Sequence, residues 1–225
     1  MIQPVIIRTE DGSDSLFLPA LSESYHSKFG ALSESRHVFI EAGLKQIPRQ
    51  RIINILEIGF GTGLNALITL AEAESNLISV NYHTVEPFPL SFEILDKLNY
   101  TWLPEFVKYQ ELFNKLHTSP YNSPILINDY FQLLKFKEKI EDISLEPDYY
   151  HLVYFDAFSP EVQPELWTAD IFKKLFEGMT IGGILVTYSA KGLVRRNMQD
   201  AGFIVERLAG PKGKREMLRA TKTIL

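Results

Sequence analysis

The stretch Ile55-Leu56-Glu57-Ile58-Gly59-Phe60-Gly61-Thr62-Gly63-Leu64-Asn65 decides the fold of this chain. An apolar run ends in a carboxylate, and a turn with three glycines leads directly into a helix-like pattern. Glycine tolerates positive φ and lets the backbone approach a ligand closely, so this loop is suited to hold a nucleoside. The stretch therefore predicts an α/β protein whose ligand lies where the first strand of a parallel sheet ends.

The glycine spacing separates two classes of nucleoside loop. A dinucleotide fingerprint, G-x-G-x-x-G, would have its third glycine at position 64. Leu64 stands there, and the third glycine comes one residue earlier, at Gly63. The form E-x-G-x-G-x-G resembles the S-adenosylmethionine loop of Rossmann-like methyltransferases and disfavours a dehydrogenase. Thr62 and Asn65 join the three glycines as candidate cofactor contacts.

Composition narrows the class of protein. The chain has 225 residues, 45% hydrophobic and 23% charged, which predicts one domain with a substantial core. Cysteine is absent and the five histidines show no metal spacing, so no metal site is expected. No apolar run approaches the ~20 residues of a membrane span, and Met1-Ile2-Gln3-Pro4 does not resemble a signal peptide. A cytoplasmic enzyme is the expectation.

Charge is distributed unevenly along the chain. The net charge is −5, yet residues 173–225 contain 11 lysines and arginines against 4 acids, and the remainder contains 12 against 24. A basic last quarter on an acidic body is a candidate phosphate-binding face. The alternative is a solvated surface whose charges are scattered by folding.

The predicted elements divide the chain into two parts. Residues 1–45 contain a small hairpin over 5–18 and a helix over 33–43, expected to pack on the main domain. In residues 46–225, strands and helices alternate as in a doubly wound sheet. Strands are predicted over 52–58, 78–85, 125–127, 151–155 and 184–188, with a final antiparallel pair over 203–205 and 217–220. Helices are predicted over 64–74, 90–98, 106–116 and 164–176, the last one closed by Gly178 and Gly182-Gly183.

Four predicted strands end in a carboxylate, at the edge where such sheets bind ligands: Glu57, Glu86, Asp129 and Asp156. Glu86 can accept hydrogen bonds from both hydroxyls of a ribose. Asp129 can accept the adenine amino proton, with Tyr130 as a nearby aromatic ring. Each acid alone could be a helix cap or a loop acid. Together with the glycine loop they predict a cofactor site.

Asp156 is the candidate catalytic residue. Methyl transfer is an in-line displacement, so the enzyme mainly has to align a nucleophile with the methyl group. An alkyl ammonium has a pKa of about 10, and a nearby carboxylate raises that pKa further. The sequence therefore predicts that Asp156 orients the nucleophile or relays a proton, and does not activate it by its charge.

Longer blocks of sequence carry a family resemblance. They are Y-H-S-K-F-G-A-L-S-E-S-R-H-V-F-I-E-A-G-L at 25–44, the 57–65 loop, D-A-F-S-P-E-V-Q-P-E-L-W at 156–167, G-L-V-R-R-N-M-Q-D-A-G-F at 192–203 and K-R-E-M-L at 214–218. Together they resemble the MnmC-like family, methyltransferase modules that finish 5-methylaminomethyl-2-thiouridine at the tRNA wobble position. The resemblance covers nearly the whole chain from about Tyr25.

The resemblance implies a fold and a reaction. The fold would be the Rossmann-like class I methyltransferase sheet of seven strands, mostly parallel, with an antiparallel last strand. The reaction would move a methyl group from S-adenosylmethionine to the primary amine of 5-aminomethyl-2-thiouridine, leaving S-adenosylhomocysteine. Glu57, Gly59, Gly61, Gly63, Glu86 and Asp129 would line the cofactor, and Asp156 the reaction centre.

The resemblance also implies partners. Well-known bifunctional members carry an FAD-dependent oxidase module that makes the free amine, whereas this chain ends at Leu225, about where the methyltransferase ends. We therefore expect no FAD and the tRNA anticodon region as partner. Either a separate oxidase supplies the aminomethyl group, or the substrate differs. Phosphate contacts are expected from the basic tail, and stacking on a splayed base from aromatic rings. The residues are Lys191, Arg195, Arg196, Lys212, Lys214 and Arg215 for phosphates, and Tyr25, Phe158, Trp167 and Tyr188 for the base.

Two rival functions remain open at this level. One is a class I methyltransferase, or a related aminopropyl transferase, that acts on a small molecule or a protein amine. The other is a non-catalytic protein that binds RNA or senses the cofactor.

Overall fold

A computed structural model describes residues 4–224 of the chain. Its centre is an eight-stranded sheet with the order β10-β11-β9-β8-β4-β5-β7-β6. The strands β4, β5, β7, β8 and β9 run parallel, while β11 runs antiparallel to both β9 and β10. The strands of this sheet are β4 (Ile52–Ile58), β5 (Ser79–Val85), β6 (Ile125–Asn128), β7 (Phe131–Phe136), β8 (Tyr150–Phe155), β9 (Met179–Thr187), β10 (Ile204–Ala209) and β11 (Glu216–Thr221).

Apolar layers cover both faces of the sheet. Ile55 and Leu56 are neighbours on β4 and belong to different core clusters, because successive side chains of a strand point to opposite faces. The helices that supply these layers are α1 (Ala31–Ser35), α2 (Leu64–Asn76), α3 (Phe92–Leu95), α4 (Gln110–Thr118), α5 (Ala169–Gly178) and α6 (Gly192–Asp200). The architecture is the predicted α/β sheet with an antiparallel last strand, extended by one edge strand.

The N-terminal part forms a second, small sheet. The strands β1 (Val5–Arg8), β2 (Asp14–Leu18) and β3 (Glu23–Ser24) pair antiparallel, so the predicted hairpin is present and gains a short third strand. The helix begins at Ala31, and wider π-type turns continue it over Arg36–Glu41. Phe39 packs on Tyr154 of β8 with ring centroids 5.0 Å apart, so this part shares the main core. The division at residue 45 stays a prediction, and its outer limits, residues 1–3 and 225, lie outside the described part.

Three predicted elements differ from the structure. The segment 125–127 was expected to be the third parallel strand, but β6 runs antiparallel to β7, and β7 takes that place beside β5. The Gly182-Gly183 pair does not close a helix; it lies within β9, where the register against β8 shifts. The helix predicted over 164–176 is divided at Thr168, whose side chain caps α5 by accepting from the Ile171 N–H at 3.4 Å.

The carboxyl ends of β4, β5, β7 and β8 meet at one edge of the sheet because these strands are parallel. That edge carries the glycine loop and the cavity described below. No helix within residues 4–224 is long and apolar enough to cross a lipid bilayer.

Candidate functional site

A cavity of about 400 Å³ opens at this edge of the sheet. Its lining includes the glycine loop, the ends of β5 and β8, and residues 22–28, 139–141, 156–158, 163, 165 and 166. The size lies within the range of small-molecule sites. Parallel strands that splay apart at their carboxyl ends create such a crevice, so the site follows from the fold.

The glycine loop adopts a conformation that side chains resist. Gly59 has φ +93°, and a Cβ built there would lie 2.5 Å from the carbonyl oxygen of Asp156. Gly63 has φ +74°, and its Cβ would lie 2.7 Å from Nε2 of His117. The backbone is therefore tightly enclosed at both glycines, and Gly59 and Gly61 line the cavity.

Glu86 stands at the end of β5 and lines the cavity. Its Oε2 accepts from the Gly61 N–H at 3.1 Å and its Oε1 from the Phe88 N–H at 2.8 Å. Burial raises the pKa of this carboxyl, while the two backbone donors oppose the rise. The carboxylate is held in place with lone pairs left for two further donors, which fits the hydroxyls of a ribose.

Asp156 stands at the end of β8 and also lines the cavity. Its Oδ2 accepts a hydrogen bond of 2.8 Å from Nδ2 of Asn65, the second residue of α2. Burial raises the pKa of Asp156 to about 7, opposed by the Asn65 hydrogen bond. Glu34 raises this pKa further, and Lys214 lowers it. The group can therefore exchange a proton near neutral pH.

Three aromatic rings face the cavity beside Asp156. Tyr25 and Phe158 meet edge to face with centroids 5.0 Å apart, and the Tyr188 hydroxyl donates to the Ala157 carbonyl at 2.9 Å. Trp167, predicted to stack a base, is instead 1% exposed and donates from Nε1 to the Phe158 carbonyl at 2.8 Å. Its role is to hold the Phe158 backbone, since the indole lies inside the core.

Lys214 lies in the cavity, although the sequence predicted a phosphate contact on the surface. Its Nζ pairs with Oε1 of Glu34 at 2.6 Å and lies 3.8 Å from the centroid of the Tyr188 ring. The other oxygen of Glu34 accepts from the Ser27 N–H at 2.6 Å. Sequence reasoning missed Glu34 as a site residue. It lies in the quoted 25–44 block, but its partner is 180 positions away and no local pattern links the two.

Glu57 was predicted to line the cofactor, but its carboxyl lies beneath the loop. The residue is 0% exposed and its Oε2 accepts from the Thr84 hydroxyl at 2.8 Å. Burial raises the pKa of Glu57 to about 8. Thr62 does line the cavity, and its hydroxyl accepts from Tyr100 at 3.2 Å.

Asp129 and Tyr130 lie at the opposite end of the sheet, so their predicted contact with adenine is wrong. They form the turn between β6 and β7, and the Tyr130 carbonyl accepts from the Val80 N–H at the start of β5. The parallel strand that reaches the site is β7, which ends at Phe136. Lys139, Ile140 and Glu141 follow it and line the cavity in their place.

The remaining predicted phosphate contacts do not line the cavity. Lys191 forms an ion pair with Glu161, and Lys212 pairs with Glu10 at 2.9 Å. Arg195 is half-buried, whereas Arg196 and Arg215 are exposed. Much of the positive charge of the tail is therefore compensated by acids of the body.

The residues present fit S-adenosylmethionine. The Glu86 carboxylate can accept hydrogen bonds from the hydroxyls of a ribose, and the backbone of Gly59 and Gly61 lines the cavity. The Asp156 carboxyl, when ionised, stabilises a cationic group held next to it in the cavity. Within residues 4–224 no group of three or more His, Asp or Glu side chains is arranged to hold a metal ion. The geometry thus defines a Rossmann-like α/β protein whose cavity suits a nucleoside.

Comparison with known proteins narrows this class. Residues 107–223 match the family model described as S-adenosyl-L-methionine-dependent methyltransferase. The chain belongs to this family.

Two kinds of relative confirm the resemblance seen in the sequence. The bifunctional MnmC protein of tRNA 5-methylaminomethyl-2-thiouridine biosynthesis from Burkholderia mallei is 29% identical over 97% of this chain and 35% of its own length. The Vibrio cholerae protein of the same name is 29% identical over 86% of this chain and 32% of its own. This chain thus spans about a third of the curated relatives it matches. The crystal structure of MnmC2 from Aquifex aeolicus has a TM-score of 0.82 and 26% identity, and covers 100% of this chain and 72% of that one.

Spermidine synthase from Thermotoga maritima shares the fold. Its TM-score is 0.57 with 13% identity over 100% of this chain and 73% of that chain.

Proposed function

We propose that this methyltransferase converts 5-aminomethyl-2-thiouridine to 5-methylaminomethyl-2-thiouridine at the tRNA wobble position. The observation that carries the proposal is that Asp156 and Lys214 line the same aromatic-walled cavity. The names of the MnmC relatives support the choice of substrate. A tRNA substrate would place the enzyme in the cytoplasm.

The proposed roles follow from the positions of the side chains. S-adenosylmethionine supplies the methyl group: a bond forms between the amine nitrogen and the methyl carbon as the carbon–sulfur bond breaks, leaving S-adenosylhomocysteine. Gly59, Gly61 and Glu86 hold the nucleoside, with Thr62 and Gly63 shaping the loop. Asp156 accepts a hydrogen bond from the substrate amine and takes the proton that the amine must lose before its lone pair is available.

The base would lie between the aromatic walls formed by Tyr25, Phe158 and Tyr188. In 5-aminomethyl-2-thiouridine the aminomethyl carbon is attached next to the C4 carbonyl of the ring. If the amine is held at Asp156, the neighbouring C4 oxygen of the base needs a hydrogen-bond donor on the same side of the cavity. Lys214 is that donor, and Glu34 holds its ammonium in position. Lys214 then reads the base edge instead of a phosphate.

Partners and rivals follow from the same proposal. A separate oxidase would supply the aminomethyl group, and no FAD is proposed for this chain. The basic tail supports binding of the anticodon region through Arg195, Arg196, Lys191 and Arg215. A methyltransferase for a small molecule or a protein amine is the rival reaction, favoured by the net charge of −5.

The experiment uses purified protein, radiolabelled S-adenosylmethionine, and tRNA with or without the aminomethyl group. We expect label only in 5-methylaminomethyl-2-thiouridine. Asp156→Asn should retain cofactor affinity and lose about 100-fold or more in kcat, a loss expected when a positioned acid–base group is removed. The exposed Asp142→Asn is the control. Label in neither tRNA, with cofactor binding intact, would refute the proposed substrate.

The pH dependence has a definite sign. Asp156 must be ionised to accept the amine hydrogen, and its pKa is about 7, so wild-type kcat should rise with pH through that value. Asp156→Asn should lose this rise. An unchanged pH profile in the variant would contradict the role of Asp156.

A further inference from the structure

A second cavity, of about 260 Å³, has only Phe60 and Gly61 in common with the first cavity. The rest of its lining includes residues of the 89–95 segment, the end of α4, and Lys135 of β7. Phe92 of this lining is 44% exposed, so the cavity has access to solvent. The two cavities are therefore largely separate, and the proposed methyl transfer leaves the second one without a role.

Lys135 supplies the second cavity with a buried cation. The residue is 3% exposed, and its Nζ donates to the His117 carbonyl at 2.5 Å. The same Nζ lies 4.8 Å from the ring centroid of Tyr121 and 6.0 Å from that of Phe60. His117, Tyr121 and Phe60 all line the cavity, so the ammonium lies among its walls. An ammonium has three donors, and a single carbonyl bond leaves two of them for a ligand.

The walls around this ammonium carry no negative charge. Among the described residues that line the cavity, none is acidic. The lining side chains of the 89–95 segment are all apolar: Pro89, Leu90, Phe92 and Leu95. A buried ammonium without a counter-ion has lost its hydration without full compensation. One positive charge within apolar walls is complementary to an anion that has an apolar body.

We propose that the second cavity binds a small organic carboxylate, whose oxygens accept hydrogen bonds from the Lys135 ammonium and whose apolar body packs on the 89–95 segment. A carboxylate carries the single negative charge that neutralises one ammonium, and hydrogen bonds between two charged groups are among the strong ones. A phosphate dianion would leave a net charge buried in the cavity. The volume of about 260 Å³, against about 400 Å³ for the first cavity, favours a ligand smaller than a nucleoside.

The titratable groups around Lys135 leave its ammonium as the charge that a ligand meets. Burial, and next the charge of Lys135, lower the pKa of His117 to about 3, so this imidazole is neutral at pH 7. Burial and the charge of Glu86 raise the pKa of Tyr121, so the phenol is neutral as well. Lys137 is exposed, lies 6.0 Å from the Tyr121 ring centroid and adds positive charge outside the cavity.

The first test uses benzoate as the probe and benzyl alcohol as its neutral analogue. NMR spectra of the full chain with ¹³C at the lysine ε-carbons report on Lys135, whose signal is the one missing from Lys135→Met. Benzoate should shift this signal saturably at pH 7, and benzyl alcohol should bind about tenfold more weakly or worse, because it lacks the charge. No saturable shift with benzoate, or equal binding of the two compounds, would overturn the proposal.

Matched variants separate Lys135 from the other lysines. Measured from the ligand signals, Lys135→Met should weaken benzoate binding by about tenfold or more. Lys137→Met removes an exposed lysine near the same ring and should retain the affinity. Lys214→Met removes a lysine of the first cavity and should retain it too. Full affinity in Lys135→Met, or its loss in Lys214→Met, would place benzoate elsewhere and refute the assignment.

The pH dependence of binding needs no variant. Burial lowers the pKa of Lys135 to about 8, and benzoate stays ionised at and above neutral pH. Affinity should therefore be constant near pH 7 and fall by up to about tenfold per pH unit above pH 8, as the ammonium loses its proton. An affinity that does not fall there would contradict the role of Lys135. None of these results depends on whether the protein methylates tRNA.

Discussion

At the scale of single residues, Gly59 shows how backbone conformation and close contact act together. Its φ of +93° disfavours any side chain, and a Cβ would lie 2.5 Å from the Asp156 carbonyl oxygen. Gly182 has a similar φ of +81° but open space around the Cβ position. A side chain at either position would therefore have the conformational cost of a positive φ. Only at Gly59 would its Cβ also collide with the backbone of Asp156.

We expect Gly59→Ala to destabilise the protein by roughly 1–3 kcal/mol and Gly182→Ala by less. Gly59→Ala should also weaken cofactor binding by about tenfold or more, since a shift of the Asp156 backbone alters the cavity. Thermal unfolding and calorimetric titration with the cofactor measure the two effects. Equal losses in both variants would show that conformational strain alone is responsible.

The predicted strand ends were enough to place Glu86 and Asp156 at the cavity, because the carboxyl ends of neighbouring parallel strands meet at one edge of the sheet. They were not enough for Glu57, which belongs to the glycine-loop motif. Its side chain lies under the loop because alternation along β4 turns it to the core, beside Thr84. Sequence located the residue and not the direction of its side chain.

At the scale of elements, β7 was missed because it carries a lysine at a core position. Lys135 is 3% exposed, and its Nζ donates to the His117 carbonyl at 2.5 Å and lies 4.8 Å from the Tyr121 ring centroid. The short apolar run 125–127 had the more regular strand pattern and was preferred. That choice also misplaced Asp129. By contrast, β4 was predicted with its exact limits, 52–58, because five of its seven residues are isoleucine or leucine and it leads directly into the glycine loop.

Burial lowers the pKa of Lys135 to about 8. The unfolded chain, with a lysine pKa of about 10.4, therefore binds more protons than the folded protein between these two pH values, and stability rises with pH there. Lys135→Met should stabilise the protein at pH 7 by about 1–2 kcal/mol, because the removed desolvation cost exceeds the lost hydrogen bond. The gain should vanish toward pH 10.4.

Urea unfolding at pH 7 and at high pH measures this difference. Lys137→Met is the control, because Lys137 also lies over the Tyr121 ring, at 6.0 Å from its centroid, but is exposed to solvent. A loss of stability in Lys135→Met at pH 7 would mean that the hydrogen bond outweighs the burial of the charge.

At the scale of the whole molecule, folding brings the basic tail against the acidic body. Lys212 and Lys214 pair with Glu10 and Glu34, which lie about two hundred positions earlier in the chain. Composition revealed the uneven charge, but ion pairs over such distances follow only from the packed structure. The predicted phosphate face is therefore reduced to fewer side chains, with Arg196 and Arg215 exposed and Lys214 moved into the cavity.

This division of roles gives a prediction for tRNA binding. Counterion release makes the logarithm of affinity fall with the logarithm of salt concentration, with a slope of ~0.7 per phosphate contact for single strands. Arg196→Gln and Arg215→Gln should each lower the slope by about that amount. Lys214→Met should raise KM for the modified tRNA and leave the slope unchanged, because its proposed partner is a base oxygen without net charge.

Binding of an anticodon stem-loop over a series of KCl concentrations measures the slope, with the exposed Lys97→Gln as control. A reduced slope in Lys214→Met would return this lysine to the phosphate contacts and remove the base-edge donor from the proposed site.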